Sequence, residues 1–405
     1  MLSVLRNPTY ARLFAAQVLA LFGTGILTVA LGLLAFDLAG ERGGAVLGTA
    51  MTIKIAAYVF FAPLVSAVVG RLPRKAVLIG ADAVRGLTAL CLPFVTEAWE
   101  IYALIFLLQA ASATFTPTFQ ALIPAVLPDE RDYTRAQSWS RIAYDMESIL
   151  SPLAAAALLS LISFHNLFSV TAAGFACSLL LVAATRLPRV ADSARGSLWR
   201  RTTAGTRIFA ANPTLRALLA LDLVVACAYA TVLINTVVLV KGPLGLGDAE
   251  LGIALAVFGA GSLAVALALP RWIDARGERQ AMLAGSTVVV AGLAGTLLVS
   301  QGPPGAASWP GLLAAWLLLG AGTSMISTPA GILLRRASSP ETRTAVFAAQ
   351  FSLSHACYLL TYPLAGLAGA ALGLGTAASL MLFLGLVGTA AAVVLYPRRT
   401  PRLVR

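Results

Sequence analysis

Long apolar stretches alternate with short polar segments along this chain. About twelve such stretches follow one another, and each is close to the ~20 residues that an α-helix needs to cross a bilayer. We predict spans at 13–38, 46–70, 76–95, 101–127, 139–162, 166–186, 214–240, 249–270, 280–300, 310–333, 344–369 and 372–396. A long polar and basic connection, 187–213, separates the first six spans from the last six. The pattern predicts an all-α polytopic membrane protein.

Lysine and arginine concentrate in every second connection between the spans. The alternate connections contain only Arg42 and Lys241. Because cytoplasmic loops of membrane proteins attract Lys and Arg, both termini are expected in the cytoplasm. The chain is therefore predicted to cross the membrane an even number of times.

The composition supports this class of protein. The chain is 59% hydrophobic and 11% charged, whereas soluble domains are about a quarter charged. The net charge of +12 is spread over the predicted inside loops, where it orients the chain and meets anionic lipid. We therefore expect the lipid bilayer as a partner and no nucleic acid. The four cysteines all fall in predicted spans without ligand spacing, so they predict packing residues, with no cofactor and no metal site.

The two halves of the chain share motifs in the same order. Asn-Pro-Thr opens both halves, at residues 7–9 and 212–214, and a short basic loop follows the second span of each. The fourth span of each half has a Thr-Pro step, at Pro117 and at Pro329. Proline frees a backbone carbonyl and lets a helix bend. We predict duplicated six-helix units at 1–186 and 214–405, joined by a cytoplasmic linker at 187–213.

The basic loop of the second half resembles the signature of the major facilitator superfamily, G-x-x-x-D-R-x-G-R-R. The residues that match it are Asp274, Gly277 and Arg279. The first half departs from the signature, since Gly70 stands at the acid position and leaves the cations Arg71, Arg74 and Lys75. In the family this loop acts as a cytoplasmic gate, and its acid helps to hold the cytoplasmic side closed. The missing acid in the first half argues against equivalent closing contacts in the two halves.

Longer stretches resemble one exporter branch of that family. They are 21–26, 121–128 and 207–216. The branch includes macrolide-efflux, enterobactin-export and nickel-resistance proteins. The resemblance implies about twelve transmembrane helices in two pseudo-symmetric six-helix bundles, a monomer, and export of a small-molecule substrate.

Several ionisable residues fall inside predicted spans, where charge is costly and each is a functional hypothesis. Asp82 and Arg85 are three apart on one helix face and predict a structural pair tied to the gate. Arg141 and Asp145, four apart, predict a second local pair. His355 is interpreted as a hydrogen-bonded polar group of the cavity.

Inside the predicted spans the carboxylates outnumber the cations by one. Asp222 is in the second half of the chain, which has no cation well inside its predicted spans, so it is a candidate to take up and release a proton. The alternative is that it stays hydrated near the cytoplasmic edge. Glu147 is the rival, because it lies about one turn before Pro152, a predicted helix bend. Lys54, deep in span 2, could pair with Glu147. The proton-coupling candidates are Asp222, Glu147, Asp145, Lys54 and His355.

Uncharged polar residues on spans 1, 4, 7 and 10 complete the predicted site, because those spans line the central cavity in the family. The candidates are Gln17, Gln109, Thr116, Gln120, Tyr229, Asn235, Ser324 and Ser327. With neighbouring aromatics they would form a mainly apolar pocket suited to amphipathic organic molecules. The alternative is that these groups serve helix packing.

These observations predict a secondary transporter that exchanges protons for a small amphipathic molecule. One alternative is an exporter of a metal cation (nickel or cobalt) or a siderophore. Another class is a membrane sensor or scaffold without transport. No phosphate-binding loop and no nucleophile-base constellation stands out, so an enzyme is not expected.

Overall fold

The computed structural model describes residues 2–57, 73–187, 206–302, 308–338 and 343–397. Within these ranges the chain forms twelve α-helices, a few short 3-10 turns and no strand. The helices are α1 (Pro8–Ala39), α2 (Gly43–Ala56), α3 (Arg74–Cys91), α4 (Ala98–Val126), α5 (Glu130–Leu159), α6 (Phe164–Ala183), α7 (Pro213–Lys241), α8 (Asp248–Arg276), α9 (Glu278–Gln301), α10 (Ser308–Arg336), α11 (Arg343–Leu372) and α12 (Leu374–Leu395). Each helix overlaps one predicted span, although the second half of the span at 46–70 lies mostly outside the described residues.

Ten helical segments within the described ranges are long and apolar enough to cross a membrane. The number is below the predicted twelve for two reasons. First, α1 and α2 form one continuous helical segment, Pro8–Ala56, which spans two predicted crossings. Second, α5 is not among the ten, and its first half carries many charged side chains. The chain is an all-helical, multi-pass membrane protein.

The repeated Asn-Pro-Thr motif begins the first helix of each half. The Asn7 side-chain oxygen accepts hydrogen bonds from the backbone N–H groups of Thr9 (3.0 Å) and Tyr10 (3.2 Å). The Asn212 side chain accepts from Thr214 N–H in the same way, at 2.9 Å. Proline at the first helical position has no N–H to satisfy, which suits a helix start. The two motifs therefore share one structural role, to cap α1 and α7.

The described residues form two compact units. One contains α1–α6 together with Leu246–Ile253, and the other contains α7, the rest of α8, and α9–α12. In the first unit α1 packs against α6, α5 and α2, and α3 packs against α4 and α6. In the second unit α7 packs against α9–α12 and is buried along most of its length.

Small residues bring α1 and α6 together in the first unit. A Cβ atom added to Gly23 would lie 3.2 Å from the Thr171 carbonyl oxygen, and one on Gly174 would lie 3.1 Å from that of Leu19. The close approach also lets the Thr171 hydroxyl donate to the Gly23 carbonyl, at 3.1 Å. Helices in membranes associate through such small residues, because lipid offers no hydrophobic driving force between them.

The second unit uses the same device between α9 and α10. A Cβ atom on Gly322 would lie 2.7 Å from the Gly285 carbonyl oxygen. Nearby, the Trp316 indole N–H of α10 donates to the Thr236 hydroxyl of α7 at 2.9 Å, and both side chains are buried. This bond satisfies the polar end of the largest buried side chain and ties α10 to α7.

Candidate functional site

Lys54 of α2 lines a small cavity inside the first unit. The cavity walls come from α1, α2 and α4 and include the side chains of Thr24, Thr28 and Gln109. Both threonine hydroxyls donate to backbone carbonyls one turn earlier, so their lone pairs remain able to accept. Gln109, a predicted cavity residue, is only 2% exposed and contributes its amide to this wall. A cation and an amide thus line one small cavity together with apolar side chains.

Glu147 of α5 lies against α1. A Cβ atom on Gly25 would lie 2.8 Å from the Glu147 Oε1 atom and would also overlap Ser151. Glu147 and Lys54 interact electrostatically, and each is the charged partner of the other. The structure therefore shows an interaction between Glu147 and Lys54 that the sequence alone could only suggest. Gly25 makes room for this arrangement because it has no side chain.

Asp222 of α7 is held by a glutamine of α11. The Gln350 Nε2 group donates to the Asp222 Oδ2 atom at 2.9 Å. Among the described residues, no lysine or arginine contributes to the electrostatic environment of this carboxylate. Asp222 thus remains an acid without a cationic partner in the described part of the chain, and Gln350 is a residue that the sequence reasoning missed.

An aromatic cluster lies beside Asp222. The Tyr229 ring of α7 lies 6.3 Å from the Tyr358 ring of α11, and Tyr358 lies 5.1 Å from Tyr362, between ring centroids. His355 joins the cluster with its ring 5.9 Å from Tyr358, and its Nδ1 atom is 2.7 Å from the Phe351 carbonyl oxygen. The histidine is therefore hydrogen-bonded within its own helix, while its place in a cavity and its role in proton coupling stay predictions.

Asp82 and Arg85 form the ion pair that their spacing predicts. The Ser178 hydroxyl of α6 donates to the Asp82 Oδ2 atom at 2.7 Å. The guanidinium carbon of Arg85 lies 4.3 Å from the Phe115 ring centroid and 4.6 Å from that of Phe175. Both side chains are buried, and their contacts come from α3, α4 and α6, so the pair joins these three helices. A role in gating stays a prediction.

The predicted gate residues of the first half are only partly described, because Gly70 and Arg71 lie outside the described residues. Arg74 is partly buried, and the Lys75 ammonium donates to the Ala183 carbonyl at 2.6 Å, at the end of α6. A cation near a helix C-terminus satisfies carbonyls that have no partner within the helix.

The second half has a related arrangement at the start of α9. Gly277 precedes α9 with φ of 83°, a region that favours glycine, which explains this position of the signature. The Arg279 guanidinium carbon lies 5.5 Å from the ring centroid of Tyr396, just after α12, and burial raises the pKa of the Tyr396 phenol. Glu278 forms an ion pair with Arg336 at the end of α10. The backbone of Asp274 belongs to α8, while its side chain is outside the described residues.

The remaining predicted cavity residues differ in how exposed their side chains are. Gln17 is buried, and its Oε1 atom accepts from the Ser140 hydroxyl of α5 at 3.1 Å, which is a helix-packing contact. Asn235 and Ser324 are buried, and Thr116 and Tyr229 are partly buried. Gln120 and Ser327 are exposed.

The predicted helix-bend prolines all lie within continuous helices. Pro329 is buried inside α10. Pro117 and Pro152 belong to α4 and α5, and the structure does not describe their side chains or those of Asp145 and Arg141. A further proline within a helix, Pro363 of α11, was not among the predicted bends.

A family model of the Major Facilitator Superfamily matches residues 13–242 and 223–405 of the chain. The chain belongs to this superfamily. The match covers both halves, which agrees with the duplicated motifs and with the signature after α8.

Two relatives of this superfamily member are macrolide efflux proteins. Macrolide efflux protein A of Streptococcus pyogenes is 27% identical over 216 residues, which cover 51% of this chain and 52% of that protein. Macrolide efflux protein A of Enterococcus faecalis is 26% identical over 186 residues, 43% of this chain and 57% of that protein. The aligned region thus spans about half the length of these relatives.

Solved structures match this superfamily member over nearly its whole length. A structure of the nucleoside transporter NupG has a TM-score of 0.69 at 14% identity and covers 96% of this chain and 100% of its own. A bacterial homologue of the human lysosomal transporter Spinster has a TM-score of 0.70 at 13% identity, with 96% of each chain covered. At this identity the likeness shows the fold.

Proposed function

We propose that the protein is a secondary active transporter of the bacterial inner membrane. It exports a small amphipathic molecule in exchange for protons, by alternating access, as a monomer with both termini in the cytoplasm. The superfamily supports transport, and the macrolide efflux relatives support export of an organic molecule. The basic loops support the orientation.

The observation that carries the proton coupling is the environment of Asp222. Its carboxylate lies in a membrane helix, accepts a hydrogen bond from the neutral Gln350 amide, and has no Lys or Arg partner among the described residues. A carboxylate in such surroundings is stabilised by taking up a proton, since burial disfavours the charged form. It is therefore the acid best suited to carry a proton across the transport cycle.

Glu147 and Lys54 provide a second charged element, in the other half of the chain. Their interaction changes when Glu147 gains a proton, because the neutral acid no longer attracts the ammonium. Lys54 also lines the small cavity with Gln109, so protonation of Glu147 alters the electric field in that cavity. We propose that this pair responds to the proton rather than carrying it alone.

Inverted membrane vesicles with an acidic lumen and radiolabelled erythromycin test the proposal. We expect gradient-driven accumulation by the wild type and none by Asp222→Asn. Glu147→Gln should also lose accumulation. Glu147→Gln should still equilibrate the label down its own gradient, because this substitution removes only the coupling. The control Asp37→Asn, which removes a carboxylate at an exposed position of α1, should accumulate the label normally.

Normal accumulation by both Asp222→Asn and Glu147→Gln would refute the proton assignment. Failure of the wild type to move erythromycin under any gradient, with protection of a sensitised strain against nickel or cobalt, would favour the metal alternative instead. No observation on the described residues favours that alternative, the siderophore alternative or a sensor.

A further inference from the structure

One buried hydrogen-bond acceptor lies beside α7 without a matching donor in the described part of the chain. The Gln350 amide gives its N–H to Asp222, which fixes the orientation of the amide and places Oε1 as its remaining polar atom. That Oε1 atom is buried and has no hydrogen-bond partner within the described residues. A buried acceptor without a donor is destabilising, because it has lost its hydrogen bonds to water. The site is therefore incomplete, and what completes it must donate hydrogen bonds.

The charge of the missing group follows from the carboxylate. Asp222 has no lysine or arginine partner among the described residues. The side chains of α11 that interact with it electrostatically are Cys357 and Tyr358, neither of which is a cation. A positively charged donor would satisfy both the Asp222 carboxylate and the Gln350 carbonyl oxygen.

Aromatic rings provide the apolar part of the same site. Tyr358 lies between Tyr229 and Tyr362, with centroids 6.3 and 5.1 Å away, and His355 is 5.9 Å from it. The Tyr229 and Tyr358 planes are inclined at 76°, so a ring edge rather than a stacked face meets its neighbour. Faces of aromatic rings attract organic cations, and their hydrocarbon area accommodates an apolar substituent.

We propose that Asp222, Gln350, Tyr229 and Tyr358 form a binding site for the protonated amine of the transported molecule. The inference rests on the proposed export of an amphipathic molecule and specifies its chemistry as an apolar body with an N–H⁺ group. The ammonium N–H groups donate to the Asp222 carboxylate and to Gln350 Oε1, and the tyrosine rings cover the adjacent alkyl groups.

A shared carboxylate explains how exchange can be coupled. The ammonium binds the ionised Asp222, and a proton arriving at the same oxygen atoms neutralises the charge that holds the amine. One site then holds either the substrate or a proton, and the alternation of the two gives an exchange. The titratable groups facing Asp222 in the described residues are Cys357 and Tyr358 of α11.

Equilibrium binding to the purified full chain in lipid nanodiscs tests the site without any transport. The probe is propranolol, a fluorescent naphthyl ether with a protonated secondary amine, and the comparison is N-acetylpropranolol, which keeps the apolar body and lacks the charge. Protein-free nanodiscs give the lipid background. We expect wild type to bind the amine at least about 30-fold more tightly, because a desolvated cation–aromatic contact alone contributes about 2 kcal/mol.

Substitutions at two positions test separately how the Asp222 charge and the Tyr358 ring contribute to amine affinity. Asp222→Asn keeps the shape and an acceptor for Gln350 but removes the charge that the ammonium binds. It should lower amine affinity about 30-fold and leave the affinity for the N-acetyl compound unchanged. Tyr358→Leu should weaken the amine more than the neutral compound, whereas Tyr358→Phe should retain amine binding. Asp37→Asn removes an exposed carboxylate and should bind as wild type does.

Equal affinity of wild type for the two compounds, or amine binding unaffected by Asp222→Asn, would overturn the amine site. That result would leave proton-coupled export intact, since a neutral substrate could still be exchanged. Conversely, charge-selective binding together with gradient-independent transport would support the site and refute the proton coupling. Elution of each variant as a single species on size exclusion ensures that lost binding reflects the site.

Discussion

Replacing Gly25 by alanine perturbs the contact between α1 and α5 at the position of Glu147. The added Cβ would overlap the Cβ and hydroxyl of Ser151 and would lie 2.8 Å from Glu147 Oε1. Ser151 is fully buried, so it has no open space to move into. The helices must separate, or Ser151 and Glu147 must change conformation.

The magnitude follows from two opposing effects. Alanine favours a helix over glycine by about 1 kcal/mol. Overpacking of a tight contact costs about 1–3 kcal/mol, and here two Ser151 atoms are overlapped at once, which places the cost at the upper end. We therefore expect Gly25→Ala to lower stability by about 1–2 kcal/mol, with loss of proton-driven transport because Glu147 is displaced.

The assay is thermal unfolding of the purified protein in detergent, with erythromycin accumulation in inverted vesicles as the second measurement. Gly32→Ala is the matched control, because it lies on the same helix and its Cβ would make an ordinary contact, 3.5 Å from a Leu47 methyl group. It should be neutral or stabilising. Adding Ser151→Gly to Gly25→Ala removes both overlapped atoms and should restore most of the stability lost.

A melting temperature of Gly25→Ala equal to or above that of Gly32→Ala would refute the packing argument. So would a double variant that is as unstable as the sum of its two single changes, because the two sites would then be independent. Restored stability without restored accumulation would instead locate the transport defect in Glu147 itself.

Three further outcomes follow from other contacts. Asn212→Ala removes the cap of α7 and should destabilise the protein by about 1 kcal/mol in thermal unfolding, with Asn212→Ser close to wild type. Trp316→Phe loses the hydrogen bond to Thr236 and should also cost about 1 kcal/mol, with unchanged helix content by circular dichroism. Arg85→Lys retains charge but loses the planar group packed on Phe115, so detergent stability should fall clearly, whereas a fall no larger than that of an exposed Arg→Lys change would contradict the stacking.

The helices could be predicted because their cause is local. Lipid offers no hydrogen-bond partners to the backbone, so a long apolar run must satisfy its own N–H and C=O groups as a helix. The Asn-Pro-Thr motif could be found in the sequence as a repeat, but its role as a helix cap at Asn7 and Asn212 came from the structure. The reasoning from apolar runs was least informative at α5, because the first half of this helix is charged.

The local ion pair could also be predicted, whereas its surroundings could not. Asp82 and Arg85 are three residues apart, and helix geometry alone brings them together. Ser178 and the rings on α4 and α6 are far away in the chain, and no spacing rule indicates them. A search for hydroxyl and aromatic residues on neighbouring spans would have found them only among many others.

From the sequence alone, the hydrophobic pattern determined a helical membrane protein with two related halves, and the residue motifs indicated its superfamily. These properties depend on neighbours within a few turns of one helix. The tertiary structure decided that Gln350 meets Asp222, and that Gly25 lets Glu147 approach α1. Those pairings depend on how separate helices rotate and pack against one another, and the interactions within each helix leave that rotation open.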